Sequence, residues 1–287
     1  MGLRINNNIA AQNAYRNLSV TDTQMSKSLE KLSSGYRINR AADDAAGLSI
    51  SEGLRSQIGG LKVAVRNAQD GISVVQTAEG ALTETHSILQ RMRDLAVQAS
   101  SSGSQDSNAQ QAAQTEFTQL NNELDRIAKT TTFGSQKLLD VSGTAYKGTF
   151  QVGANTSTSD QINVDLSASV FGTASGAPTG FDSTGLGVAS LSLTSAPASA
   201  IDAIDSAIKG VSTARATLGA YQNRFEHTIN NLNVAVENLS ASESRIRDTD
   251  MAQEMVSYTR SQILTQAGTS MLAQANQAPQ NVLSLLR

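Results

Sequence analysis

The chain has 287 residues, of which 39% are hydrophobic, 4% aromatic and 16% charged, and its formal net charge is −3. It has no cysteine, which excludes disulfides, thiol nucleophiles and cysteine-ligated metals. Because this net charge is negative, the chain lacks the excess of positive charge that is typical of nucleic-acid-binding proteins. The sequence contains no run of about 18 apolar residues, which is the length that a membrane-spanning helix needs. Residues 1–20 lack the apolar core of a secretory signal peptide, so any export is expected to proceed without a cleaved signal.

The first predicted element is an N-terminal helix, because Ala11, Leu18, Met25 and Leu32 recur every seven residues. This spacing places the four side chains on one face of a helix. Residues 33–47 follow with glycine and clustered charge, and we predict that they form a connector.

Three inner helices are predicted next. An upstream helix carries apolar residues spaced by sevens at Leu54, Leu61, Ala68, Val75, Leu82, Leu89 and Ala96. A shorter helix carries Ala113, Phe117, Leu120, Leu124 and Ile127 at alternating steps of four and three. The longest pattern spans about 60 Å of helix, at Ile204, Val211, Leu218, Phe225, Leu232, Leu239 and Ile246. Such helices cannot bury their apolar stripes alone, so we expect them to pack on one another.

The middle of the chain has no helical period. Residues 149–152 and 161–166 alternate apolar and polar side chains around a polar turn, which predicts a β-hairpin. We expect residues 167–197 to form a surface-exposed turn region, with short strands at 188–193.

A last helix is predicted over 255–277, ending at Pro279, with a connector at 242–251 before it. The sequence therefore predicts a mainly α fold. We expect a long antiparallel helical bundle or coiled coil, built from paired N- and C-terminal segments, with a small β-hairpin region in the middle.

Long blocks at both ends are distinctive. The N-terminal side contains MGLRINNNIAAQNA and LEKLSSGYRINRAADDAAGLSISEGLRSQI, and the C-terminal side contains LGAYQNRFEHTINNL, SRIRDTDMAQEM and ILTQAGTSMLAQANQAPQNVLSLLR. These blocks resemble bacterial flagellin over residues 1–166 and about 200–287. The resemblance implies a structural subunit that polymerises into the flagellar filament, the propeller for swimming motility.

The resemblance also implies a domain organisation. Residues 1–45 with 255–287 would form an inner terminal-helix domain of the filament core. Residues 46–166 with 200–254 would form an outer helical-bundle domain carrying the hairpin. Residues 167–199 would be a reduced variable surface insert.

Two sets of residues take roles from this resemblance. Inter-subunit or inner-tube packing is expected of Leu18, Met25, Leu32, Ile263, Met271, Leu283, Leu285 and Leu286. A second surface, which contacts the next subunit and in many flagellins is read by a Toll-like receptor of the host, is expected at Arg91, Leu95 and Glu116. The residues alone also explain Leu95 as part of a core stripe beneath a solvated helix face.

The implied partners are other copies of the chain, a flagellar export chaperone, and the cap and hook-junction proteins. The implied location is the extracellular flagellar filament. Two alternatives remain, namely a hook-filament junction protein of the same family and an unrelated coiled-coil scaffold.

We expect no enzyme, cofactor or metal. His86 and His227 lie outside any HExxH motif. The adjacent Asp43 and Asp44 are better explained as caps of a helix start, or as partners of arginine across subunits, than as an acid–base pair, because neighbouring helical residues point about 100° apart.

Overall fold

The computed structural model describes residues 8–101, 106–140, 146–166 and 180–285, with side chains as far as residue 277. These residues form α1 (Ile9–Ser34), α2 (Ala45–Ser100), α3 (Ser107–Thr130), α4 (Pro197–Arg247) and α5 (Met251–Leu285). Strands β1 (Thr132–Phe133) and β2 (Gln136–Lys137) pair antiparallel, as do β3 (Lys147–Gln151) and β4 (Gln161–Asp165). The prediction of a mainly α fold with a small hairpin is confirmed.

The chain divides into two compact units, one formed by residues 1–57 and 237–287 and the other by residues 58–236. In the first unit, α1 and α5 pack side by side and antiparallel. The side-chain amide of Asn8 donates to the carbonyl of Ala275 at 2.7 Å, while Lys31 lies 3.9 Å from Glu254 at the other end of the pair. α1 ends at Gly35, whose φ of 76° gives the left-handed cap that glycine adopts without a steric cost.

The second unit holds the hydrophobic core. The heptad residues of α2 from Ala68 to Ala96 are buried, as are those of α4 from Ile204 to Leu232. Ion pairs between Arg93 and Asp205 at 2.7 Å, and between Glu79 and Arg215 at 3.7 Å, fix α2 and α4 as antiparallel neighbours. The two long helices thus bury their apolar stripes together, as their spacing predicts.

The predicted hairpin is confirmed and packs on this bundle. Phe150 of β3 meets Phe225 of α4 edge to face, with 5.5 Å between ring centroids. Gly71 of α2 leaves room for that ring, because a Cβ there would lie 2.6 Å from Phe225 Cζ. The amide of Asn67 donates to the carbonyl of Gln151 at 3.0 Å and fixes the hairpin to α2.

Residues 180–196 do not form the surface-exposed region that we predicted. Four apolar side chains of this segment are buried in the core: Phe181, Leu186, Val188 and Leu193. The segment consists of turns and contains no strand at 188–193. Its apolar residues are spaced too irregularly to show a period, although they fill the core as completely as the helices do. Residues 167–179, the rest of the predicted insert, lie outside the described residues.

Polar side chains of α3 hold this segment in place. Gln114 accepts from the backbone N–H of Leu193 at 2.6 Å and donates to the carbonyl of Leu191 at 3.4 Å. Asn121 donates to the carbonyl of Val188 at 3.3 Å, and Asp125 accepts from the N–H of Ser183 at 2.8 Å. These bonds satisfy backbone groups that lie outside regular structure near the core.

Two predicted helix ends are wrong. α4 continues to Arg247, so the connector before α5 is only residues 248–250. α5 continues past Pro279 to Leu285. Proline removes one backbone donor from a helix, at a cost of about 3 kcal/mol, but the turns on either side can still continue.

We predict that Leu193→Ala destabilises the protein by about 2–5 kcal/mol, because it leaves a cavity in a fully packed core. The exposed Ser190→Ala in the same segment should stay within about 0.5 kcal/mol of the parent. Thermal unfolding followed by circular dichroism measures both. Equal midpoints for the two variants would contradict the burial of this segment.

Candidate interaction surface on the terminal helices

The seam between α1 and α5 is formed largely by small or polar side chains. From α1 it takes Ala11, Ala14, Leu18, Thr21, Met25, Ser28 and Leu32, and from α5 Glu254, Tyr258, Ser261, Thr265, Gly268, Leu272 and Ala275, all buried or half-buried. The most deeply buried of them are serines, because Ser28 and Ser261 are each 7% exposed. A seam of this composition removes little apolar area from water, so it stabilises the pair only weakly.

The backbones of α1 and α5 approach each other closely in this seam. A Cβ at Gly268 would lie 3.3 Å from Leu18 Cδ1, which is tighter than ordinary van der Waals contact. The hydroxyl of Thr265 reaches Asp22 at 3.5 Å. The two helices therefore lie close together with few large apolar groups between them.

Many large apolar side chains of these helices point away from the seam. Ile263 is 60% exposed and Met271 is 66% exposed. Other large apolar residues that are exposed on the pair are Ile9, Tyr15, Val20, Leu29, Met251, Met255, Val256 and Leu264. On α5 they point in several directions around the helix, which is typical of a helix surrounded by others.

An open groove of about 510 Å³ runs along α5, lined by Met255, Val256, Thr259, Arg260, Ile263 and Leu264. Four of these residues have the i, i+3, i+4, i+7 spacing of a hole that receives a side chain from a facing helix: Val256, Thr259, Arg260 and Ile263. The face of α5 opposite the seam therefore has the form of a coiled-coil surface.

Two connectors, residues 35–44 after α1 and residues 248–250 before α5, are hydrogen-bonded to each other and to the end of α4. The backbone N–H of Thr249 donates to the carbonyl of Gly35 at 3.0 Å, and that of Arg37 donates to the carbonyl of Arg247 at 2.7 Å. The Arg247 guanidinium lies 4.9 Å from the ring centroid of Tyr36 and donates to Glu52 at 2.6 Å. We call this hydrogen-bonded region the joint.

Of the two acidic residues of the first connector, Asp44 caps a helix start as predicted, whereas Asp43 bonds within the turn that precedes it. Asp44 caps α2 by accepting from the N–H of Gly47 at 2.8 Å. Asp43 accepts from the N–H groups of Arg40 at 3.0 Å and Asn39 at 3.2 Å. These hydrogen bonds, above all the one from Arg40, stabilise the carboxylate and lower the pKa of Asp43.

The three residues expected on the second surface differ in exposure. Arg91 of α2 and Glu116 of α3 form an exposed ion pair, with Arg91 Nε donating to Glu116 Oε1 at 2.8 Å. Leu95 is 2% exposed and lies in the core, so its placement on that surface is wrong. One helical turn separates Arg91 from Leu95, and α3 covers this part of α2.

The structure separates the residues expected in inter-subunit packing into two groups. Leu18, Met25 and Leu32 lie half-buried in the seam of their own chain, whereas Ile263 and Met271 point outward. Leu283 and Leu285 belong to α5, but their side chains, like Leu286 as a whole, lie outside the described residues. Sequence reasoning missed Met255, Val256 and Leu264, which the even spread of apolar residues around α5 could have revealed.

Within the described residues, no helix is long and apolar enough to cross a membrane, and no group of three or more His, Cys, Asp or Glu residues could hold a metal ion. The fold and surface define a class of helical protein in which a pair of terminal helices carries exposed apolar side chains.

Comparison with known proteins gives the family. Residues 5–144 match the bacterial flagellin N-terminal helical region, and residues 201–286 match the bacterial flagellin C-terminal helical region. The chain belongs to the bacterial flagellin family.

Several relatives match along their whole length. A flagellin of Halalkalibacterium halodurans is 54% identical over 286 residues, covering 99% of both chains. A flagellin of Bacillus subtilis is 50% identical over 308 residues, covering 99% of this chain and 100% of the relative. The flagellar filament 33 kDa core protein of Treponema phagedenis is 47% identical over 292 residues, covering 99% of both. Nothing in these matches favours the hook-junction alternative.

We predict that the terminal helices are the first part of a free subunit to be cut by a protease, because their seam is weak. Trypsin should cleave at Arg16 of α1 and Arg260 of α5 before Arg66, which is equally helical and exposed but belongs to α2 in the second unit. Mass spectrometry of the early fragments gives the order. Cleavage at Arg66 as fast as at Arg16 and Arg260 would contradict the weak seam.

Proposed function

We propose that copies of this chain join through the outward faces of α1 and α5. Membership of the flagellin family makes the chain a structural subunit that polymerises into the flagellar filament. The observation that supports this choice of contact surface is the exposure of Ile263, Met271 and the groove around Val256 in a single subunit.

The physical argument is one of uncovered apolar surface. Burying an exposed Ile, Leu or Met side chain stabilises a contact by about 1.5–3 kcal/mol. α5 carries several such side chains in directions that α1 does not cover. A second copy whose helix packs into the groove would leave its own groove for a third. A contact repeated in this way between identical subunits, without closing on itself, produces a helical filament.

We extend this proposal to the organisation of the polymer. Residues 1–45 with 255–287 would form its inner layer, where α1 and α5 meet their counterparts. Residues 46–166 with 200–254 would form the outer layer, and residues 167–199 would lie farthest out. The contrast between the apolar outward faces of α1 and α5 and the filled core of the second unit supports this order, because most of the large apolar side chains left exposed in the described residues belong to the terminal helices.

The remaining partners and the location follow from the same role. The subunit would reach the extracellular filament without a cleaved signal peptide, carried by an export chaperone and placed between cap and hook-junction proteins. We assign the terminal Leu283, Leu285 and Leu286 to packing inside the polymer. No catalytic role is proposed for the chain.

The ion pair of Arg91 and Glu116 supports a second contact surface. Both side chains are exposed, and they join neighbouring helices of the second unit. This surface would contact the next subunit in the filament and, on a free subunit, a Toll-like receptor of a host. In a host-cell reporter assay, Arg91→Ala should weaken the response at least about tenfold, since a charged pair at a contact is worth about 1.5 kcal/mol or more.

The main test compares Ile263→Gln with Ile263→Met. The two replacement side chains have similar length and helix propensity, but only methionine is apolar. We predict that the glutamine variant raises the critical concentration for seeded polymerisation at least about tenfold, while the methionine variant stays close to the parent.

Circular dichroism of the free subunits serves as the control and should give the same helix content for both variants. Polymerisation of the glutamine variant at the concentration that suffices for the methionine variant would refute the assignment of this face.

A further inference from the structure

Three of the exposed apolar side chains on α5 are methionines. Met251 is 48% exposed, Met255 is 51% exposed and Met271 is 66% exposed. In contrast, Met92 is fully buried in the core of the second unit, and Met25 is half-buried in the seam. An oxidant dissolved in water therefore reaches the thioether sulfurs of α5 before these other two.

We propose that Met251, Met255 and Met271 form an oxidation site, and that their oxidation by a peroxide prevents a free subunit from joining the polymer. This inference rests on the proposed function of α5 as a contact surface. The oxidant it requires is hydrogen peroxide or another two-electron peroxide.

The chemistry involves one oxygen transfer at each methionine. A lone pair of the thioether sulfur attacks one oxygen of hydrogen peroxide, an S–O bond forms and the O–O bond breaks. The departing hydroxide takes up the proton of the transferred oxygen and leaves as water. Sulfur loses two electrons and becomes a sulfoxide, while the peroxide is reduced.

The product opposes assembly because a sulfoxide is polar. Met255 lines the groove together with Val256, Ile263 and Leu264, so a facing helix would have to bury the new oxygen largely among apolar groups. Burying a polar group without a hydrogen-bond partner is costly, so oxidation should raise the critical concentration at least about tenfold. In the polymer, neighbouring copies would cover the same sulfurs, so assembled subunits should be oxidised more slowly than free ones.

The position of the methionines makes the step reversible. Methionine sulfoxide reductases act on exposed sulfoxides, and these three lie on the surface of a free subunit. A subunit blocked by peroxide could therefore regain its ability to assemble.

The test oxidises the free full-length chain with hydrogen peroxide and maps the sulfoxides by peptide mass spectrometry. Seeded polymerisation is then measured before oxidation, after oxidation, and after treatment with methionine sulfoxide reductases. We expect sulfoxide at Met251, Met255 and Met271 with Met92 intact, a loss of polymerisation, and its recovery on reduction.

Two variants locate the effect. The triple variant Met251→Leu, Met255→Leu, Met271→Leu should show the same critical concentration with and without peroxide, whereas Met92→Leu should remain sensitive. Each protein is compared with its own untreated sample, so any effect of leucine on assembly itself cancels. If the triple variant does not polymerise at all, the mapped sulfoxides and the recovery of the parent on reduction decide the question.

The proposal is overturned if the parent polymerises normally with all three sulfoxides present. It is equally overturned if peroxide reduces the polymerisation of the triple variant as much as that of the parent. It is also overturned if reduction of the three sulfoxides restores nothing. Failure of the untreated parent to polymerise is a different result, since it contradicts the proposed function and not the oxidation site.

Discussion

The weak seam between α1 and α5 is the constraint on which the function of this protein depends. Small and polar residues such as Ser28, Ser261 and Gly268 let the two helices approach closely, but they bury little apolar surface. Many large apolar residues of both helices, such as Ile263 and Met271, are left outside. In the proposed assembly, these side chains are buried when copies of the chain associate, and part of the hydrophobic stabilisation is gained at that step and not in folding.

The second unit differs from the terminal pair, because its apolar side chains are buried within the unit itself. Its heptad residues, the Phe150–Phe225 contact and the segment held by Gln114 and Asp125 fill a single core. In the first unit the joint links the two connectors through the backbone bond from Thr249 to Gly35 and through Arg247. A subunit therefore combines a well-packed second unit with a terminal pair that has little stability of its own.

The long elements could be predicted from the sequence, because heptads from Ala68 to Ala96 and from Ile204 to Leu232 repeat one physical requirement many times. The hairpin followed from alternation around a polar turn. Residues 180–193 could not be predicted, since backbone groups such as the N–H of Ser183 and of Leu193 bond to side chains of α3, which is distant in sequence, and the apolar residues show no local period. The outward residues of α5 were predicted only in part. Apolar residues occur on several sides of this helix, so their spacing does not indicate one buried face. Leu95 was misplaced by the family resemblance, whereas its helical spacing had already explained it as part of a core stripe.

The chain has no cysteine, so a single introduced thiol measures the central claim directly. Ile263→Cys places one thiol on the outward face of α5, and Ser190→Cys places one on the exposed turn of the second unit. Labelling by a water-soluble maleimide is compared between free subunits and polymers. The account predicts that both thiols react in the free subunit and that polymerisation protects only the thiol at position 263. Equal labelling of that thiol in subunit and polymer would show that this face of α5 is not where the copies meet.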